Sequence, residues 1–450
     1  MYNKVFVAVL IFILLALPVH AQVFLPETTT LKNGMQVVVV PNHRAPVVTQ
    51  MLWFKTGAIN DPWGKSGIAH FLEHLMFKGT KNHAEGDYSK IISHMGGEEN
   101  AFTSYDYTAF YATVGKEHLP EIMDLESDRL ANWQVTDDQV KKELQVILKE
   151  RQQRIENDPV SAFFEEVDGL MFANHPYQRP TIGWRAEMET LNRDDAVKYH
   201  DTYYAPNNVI LVISGDITLK EIQPFLDKYY APIPAKNVPD RVSPIVPELK
   251  SMRRVTENSP LVKERLWSKH FIVPAARPET IAQSDAMTVM TKILGDGRTG
   301  RLYRRLVMKE KLANAASVGF DSTSYGPARL SIAVTPTPDA DLNKIEAIVN
   351  DELQKIAMEK VTPDELQKAT QGLEVASVYA RDSVTGPAMI IGESLVDKLD
   401  IKTIEAWPKR MHNITAAQVQ EQAKTLWQKN DASVIAILLP EPPAEKAVAK

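Results

Sequence analysis

Apolar positions recur along this chain with two different periods, and the periods separate predicted strands from predicted helices. Met35 to Val40 and Val47 to Lys55 are rich in β-branched and aromatic residues and predict strands. Asn33-Gly34, between Thr29-Thr30-Leu31 and Met35, predicts a hairpin with a two-residue turn. Gly67 to Phe77 is mostly apolar with no Pro and no interior Gly, which predicts a helix. Tyr88 to His94 predicts a short helix stopped by Gly96-Gly97. Ala109 to Val114 predicts a strand, and Asn100 to Thr103 before it can form an exposed edge strand. Leu119 to Trp133, Asp137 to Ile155 and Val160 to Met171 predict helices, the second opened by two aspartates that suit a helix N-terminus. The apolar run Val209 to Ile213, continuing into Ser214-Gly215-Asp216, predicts a buried strand.

The second half repeats this plan. Strands are predicted near Arg253 to Val255, at Leu266 to Ile272, Ala315 to Ser322, Ala328 to Thr335 and Ala432 to Leu439. Helices are predicted at Ala282 to Leu294, Arg301 to Glu310, Leu342 to Glu359, Pro363 to Arg381, Gly386 to Asp397 and Ala416 to Leu426. Between the halves, Pro232, Pro234, Pro239, Pro244 and Pro247 predict an extended, semi-rigid linker over 232–250. The fold class is therefore α+β, with two duplicated units, 22–231 and 251–440, and a flexible tail at 441–450.

Composition adds the compartment. Val5 to Leu17 is apolar throughout, follows Lys4, and is shorter than the roughly 20 residues of a membrane span. With Ala21 before Gln22, residues 1–21 predict a cleaved signal peptide of bacterial form and a periplasmic protein; an uncleaved membrane anchor is the alternative. The chain has no Cys, so it has no disulfide, no acylated cysteine and no thiolate metal ligand. At 450 residues it is long enough to be held by its cores alone. A net charge of −6 recommends no nucleic-acid partner.

The chemistry lies in His70-Phe71-Leu72-Glu73-His74. On a helix, positions three and four apart share a face, so His70, Glu73 and His74 project together. Two imidazoles so spaced are a pair of zinc ligands, and the carboxylate beside them can take a proton from water. This is H-x-x-E-H, the inverse of the commoner H-E-x-x-H. A catalytic zinc needs a third protein ligand. Glu143, Glu150 and Glu156 in the Asp137 helix region are candidates by spacing, the first two seven apart and so on one face.

Further motifs accompany these: Asn100-Ala101-Phe102-Thr103 with Asp106, His175-Pro176-Tyr177, Tyr204-Ala205-Pro206-Asn207-Asn208 and Gly215-Asp216. With them the chain resembles the pitrilysin–insulinase zinc metallopeptidases. The match is to the short two-domain type that includes mitochondrial processing peptidase and bacterial periplasmic homologues. The resemblance implies two homologous α/β sandwich-like domains, each an antiparallel-rich sheet with helices on one side, forming a clam-like chamber. It implies one Zn2+ per chain on His70, His74 and Glu150, Glu73 as general base, and Glu143 orienting a ligand. Asn100, Ala101, Phe102 and Thr103 would bind a peptide or unfolded segment as an added strand. The implied activity is zinc-dependent endopeptidase.

One departure stands out. In the family it resembles, active members or their partner subunits carry an Arg and a Tyr seven apart in the second domain; Val307 and Asn314 occupy those positions here. A shifted alignment would recruit Arg304 or Arg305, with no Tyr at the matching offset. The expectation is a heterodimer in which a zinc-less homologue supplies the pair. The alternatives are a non-catalytic structural or assembly subunit and a peptide-binding subunit.

Overall fold

The computed structural model describes residues 23–441. The predicted signal peptide and most of the predicted tail lie outside the described residues. Within them, no helix is long and apolar enough to cross a membrane.

Among the described residues, eleven strands form two sheets. In the first half they are β1 (Glu27–Thr30), β2 (Gln36–Pro41), β3 (Val47–Phe54), β4 (Glu98–Thr103), β5 (Thr108–Gly115) and β6 (Val209–Gly215). Their order is β1-β2-β6-β3-β5-β4, which leaves β4 at an edge. In the second half they are β7 (Arg253–Ser259), β8 (Leu266–Val273), β9 (Ala313–Asp321), β10 (Ala328–Pro336) and β11 (Val434–Pro440), ordered β7-β11-β8-β10-β9. Each sheet is antiparallel except for one pair, β2 with β6 and β7 with β11. The two halves thus share an architecture as well as a sequence pattern.

The first hairpin corrects the predicted turn. Leu31 N–H donates to Met35 O (2.9 Å) and Gly34 N–H to Leu31 O (2.9 Å), so the loop holds three residues, Lys32 to Gly34. Only Gly34 takes a positive φ, 86°. A two-residue turn of the Asn-Gly kind needs it at Asn33 too. Asn33 instead donates its amide to Tyr230 O (2.8 Å) and Ile233 O (2.9 Å), at the start of the connecting segment.

One face of each sheet carries its own half's helices. Val37, Val39, Leu52, Leu211 and Ile213 pack on Phe71, Leu72, Leu75 and Ile147 in the first core. Phe271, Leu330, Ile332 and Ile435 pack on Val289, Met290, Ile345 and Val349 in the second. The opposite faces are covered reciprocally. The helix Gly386–Val396 of the second half lays Ala388 and Ile391 on Met51, Trp53, Ile210 and Val212 of the first sheet. The helix Pro159–Met171 of the first half lays Phe163, Val167 and Met171 on Val434, Ala436 and Leu438 of the second. Each fully buried large apolar side chain is worth about 1.5–3 kcal/mol. The exchange therefore binds the halves into one body across the segment 234–250, which has neither helix nor strand.

Candidate metal centre

The helix Ile68–Leu75 is fixed at its N-terminus before it presents any chemistry. The first N–H groups of a helix have no partner within it. Here the buried Asp61 carboxylate accepts from Gly67 N–H (2.7 Å) and Ala69 N–H (3.2 Å). Gly67 has φ 87°, and a Cβ there would lie 2.4 Å from Ile182 O, because the chain at Gly183 crosses at backbone contact. Asp61→Ala would leave two buried donors unpaired. The expected result is a loss of about 1–3 kcal/mol in urea denaturation.

From this helix, His70, Glu73 and His74 project toward the helix Asp137–Arg151. One donor atom each from His70, His74 and Glu150 lie within 4.8 Å of one another. His74 Nε2 is 3.3 Å and His70 Nε2 3.7 Å from Glu150 Oε2. His74 Nδ1 meets Glu143 Oε1 at 2.8 Å, and Lys78 holds the other Glu143 oxygen at 2.6 Å. His70 Nδ1 is buried with no hydrogen-bond partner among the described residues. Glu156 is not brought in. A wider π-helical turn, Gln152–Glu156, follows the helix, and Glu156 pairs with Arg185 at 2.6 Å. Two imidazole nitrogens and one carboxylate oxygen, converging with no thiolate, form the donor set of a catalytic zinc with an open position. The residues present fit that ion.

Glu73 does not join the converging set. Its carboxylate accepts from the Thr103 hydroxyl at 2.5 Å. Thr103 ends β4, whose outer edge is unpaired in the sheet. Glu73 and the free strand edge are thus joined by one hydrogen bond. Beside them a cavity of about 390 Å3 is lined by His70, Thr103, Tyr105, Arg154 and Asp168.

Burial sets the electrostatics. It pushes His70 down to about 4, helped by the neighbouring His74. Burial also opposes charge on His74, but hydrogen bonds to Glu143 and Glu150 lift it to about 9. The same bond from His74 holds Glu150 below the usual carboxylate range. Burial raises Glu73, against the Thr103 hydrogen bond. Glu143→Gln would keep the shape and lose the charge that fixes the His74 ring. We expect zinc affinity to fall by roughly 10–100-fold, read by competition with a chelator.

The family description "Insulinase (Peptidase family M16)" matches residues 36–184, and "Peptidase M16 inactive domain" matches 190–373. The chain belongs to the M16 peptidase family. The zinc protease PqqE of Helicobacter pylori is 26% identical over 421 residues, 92% of this chain and 94% of that one. A probable mitochondrial-processing peptidase subunit beta of Schizosaccharomyces pombe is 28% identical over 427 residues, 91% of each chain. The crystal structure of a protease from Helicobacter pylori superposes with a TM-score of 0.85 at 25% identity, covering 93% of this chain and all of that one. These relatives thus carry the names of a zinc protease and of a processing-peptidase subunit, and the two-unit fold is that of M16 peptidases.

The second M16 unit offers no Arg/Tyr pair at the expected positions. Val307 sits in the wide helical segment Tyr303–Lys309, packed against the second core. Asn314 is exposed on the edge strand β9. Arg305 is paired with Asp351 and Glu352 at 2.8 Å each, and Arg304 lies 3.8 Å from Glu365. Sequence reasoning missed Asp61, Lys78 and the Thr103 hydroxyl. Asp61-Pro62 reads as an ordinary loop, and nothing local marks Lys78 or the Thr103 side chain.

Proposed function

We propose that this chain is a zinc-dependent endopeptidase acting on extended peptides or unfolded segments, exported to the periplasm, and the zinc-bearing half of a heterodimer. The observation that carries the reading is the convergence of His70, His74 and Glu150 beside Glu73. These three would hold one Zn2+, which when bound acidifies water and polarises a carbonyl. Glu143 and Lys78 hold the His74 ring in one orientation. The peptide backbone pairs with the outer edge of β4, along Asn100 to Thr103, independently of its side chains. Glu73 takes a proton from the attacking water and returns it to the leaving amine. Thr103 fixes the Glu73 carboxylate at the end of that strand.

Val307 and Asn314 favour one second reading, a subunit of the same family that holds peptide without cutting it. The test is hydrolysis of a quenched, unstructured peptide, alone and with an M16 homologue carrying the Arg/Tyr pair, with zinc measured on the same sample. Zinc near one per chain with turnover supports the peptidase. Zinc without turnover under both conditions supports the second reading. No zinc overturns the peptidase reading.

A further inference from the structure

The motif His175-Pro176-Tyr177 contributes no donor to the metal centre. The segment it opens, 175–184, nevertheless touches every part of the site. At its start it reaches the turn Ser104 to Tyr107 that follows β4. The Tyr177 hydroxyl donates to the Asp106 carboxylate, at 2.6 Å and 2.5 Å from its two oxygens, and accepts from Gly326 N–H at 2.8 Å. Tyr325 N–H donates to the same carboxylate at 3.1 Å. Tyr325 and Gly326 belong to the turn between β9 and β10 of the second half. Turns from both halves are thus tied at one hydroxyl and one carboxylate, on residues that are both 4% exposed. His175 fixes the tyrosine in turn. Its Nδ1 accepts from Tyr177 N–H (3.2 Å), which leaves Nε2 to carry the proton and donate to Ser243 Oγ (3.0 Å).

Further along, the buried Arg179 guanidinium donates to three backbone carbonyls, Ala58 (3.3 Å), Asp61 (2.9 Å) and Pro62 (3.2 Å). These carbonyls belong to the loop from which Asp61 caps the His70 helix. Gly183 completes the set. Its backbone crosses that of Gly67 at the start of the same helix, and its carbonyl accepts from Arg151, the residue after Glu150, at 2.7 Å.

We propose that the segment 175–184 sets the register between the β4 edge and the metal donors, with Tyr177 positioning the edge and Arg179 positioning the His70 helix. The inference rests on the peptidase reading and adds positioning residues to it. The demand is geometric. A peptide held on β4 by backbone pairing must still present one carbonyl to the metal, and a misplacement of about 1 Å can cost roughly a hundredfold in rate. The single hydrogen bond from Thr103 to Glu73 cannot set that distance by itself. One short segment braced against both the strand end and the helix start can.

The test reads three quantities on each variant. They are zinc affinity by chelator competition, binding of a fluorescent unstructured peptide in the Glu73→Gln background, and turnover of a quenched peptide per zinc-loaded chain with an M16 homologue carrying the Arg/Tyr pair. Tyr177→Phe keeps the ring and loses the hydroxyl. Turnover is expected to fall by roughly ten- to a hundredfold, with zinc affinity and peptide binding unchanged. Asp106→Asn should lower turnover less and, acting through the same contact, add nothing to Tyr177→Phe in the double variant. It also serves alone if Tyr177→Phe does not fold. Arg179→Met should lower zinc affinity roughly tenfold, because the loop that holds Asp61 is released. Arg179→Lys, which reaches fewer of the carbonyls, should fall between and serves if Arg179→Met does not fold. A role in stability alone would lower the urea midpoint and leave all three quantities unchanged in the folded chain, and that result overturns the proposal. Additive effects of Tyr177→Phe and Asp106→Asn overturn it as well. If the Glu73→Gln chain binds no peptide and the wild-type chain with the homologue cleaves none, the peptidase reading falls and takes the inference with it.

Discussion

Glu73→Gln is expected to lower peptide turnover by roughly two to four orders of magnitude while zinc content stays unchanged. The argument is local. Glu73 lies on the same helix face as His70 and His74 but outside the set of donors that converge. Glutamine has the same outline and can still accept from the Thr103 hydroxyl, so the strand end and the helix stay joined. What disappears is a group able to take a proton. Burial raises Glu73, so once protonated it holds the proton more firmly than an exposed carboxylate would, as the transfer requires. Glu150→Gln is the contrasting control: its carboxylate lies against both imidazoles, and its loss should show first in metal content. Hydrolysis of a quenched peptide and metal analysis on one preparation distinguish the two. Unimpaired turnover in Glu73→Gln would remove the general base and the mechanism built on it.

The grouping of His70, Glu73 and His74 was legible because helical spacing alone sets it. The choice among Glu143, Glu150 and Glu156 was not legible from spacing. It depends on how two helices cross: Glu143 meets His74 Nδ1, Glu150 meets the Nε2 side, and a wide turn carries Glu156 away. The duplicated strand-and-helix plan was equally readable, since the period of the apolar positions fixes the type of each element. The periodicity says that a face is buried and is silent about what buries it. The apolar residues of Pro159–Met171 and Gly386–Val396 therefore gave no hint that each helix covers the other half's sheet. Asn33-Gly34 misled for a related reason, because the Asn33 side chain is claimed by carbonyls about 200 positions downstream.

The purified chain alone is expected to bind zinc and hydrolyse peptide slowly, and an M16 homologue bearing the Arg/Tyr pair should raise turnover by roughly a hundred- to a thousandfold. Attack on a peptide carbonyl places negative charge on its oxygen, and donors aimed at that oxygen supply much of the acceleration. In this chain the two positions that should supply them hold Val307, with no polar side-chain atom, and Asn314, too short to reach as a tyrosine does. The neighbouring arginines do not substitute for them. Arg305 is locked between Asp351 and Glu352, and Arg304 leans on Glu365. The first half meanwhile holds three converging donors and, beside them, Glu73 joined by one hydrogen bond to the end of a free strand edge. On the peptidase reading this is one half-site facing a second half without the Arg/Tyr pair, as a divided enzyme requires. Co-purification followed by steady-state kinetics with and without the partner reads the difference. Full, efficient proteolysis by the lone chain would mean that the zinc-bearing half-site suffices, and the divided enzyme would have to be given up.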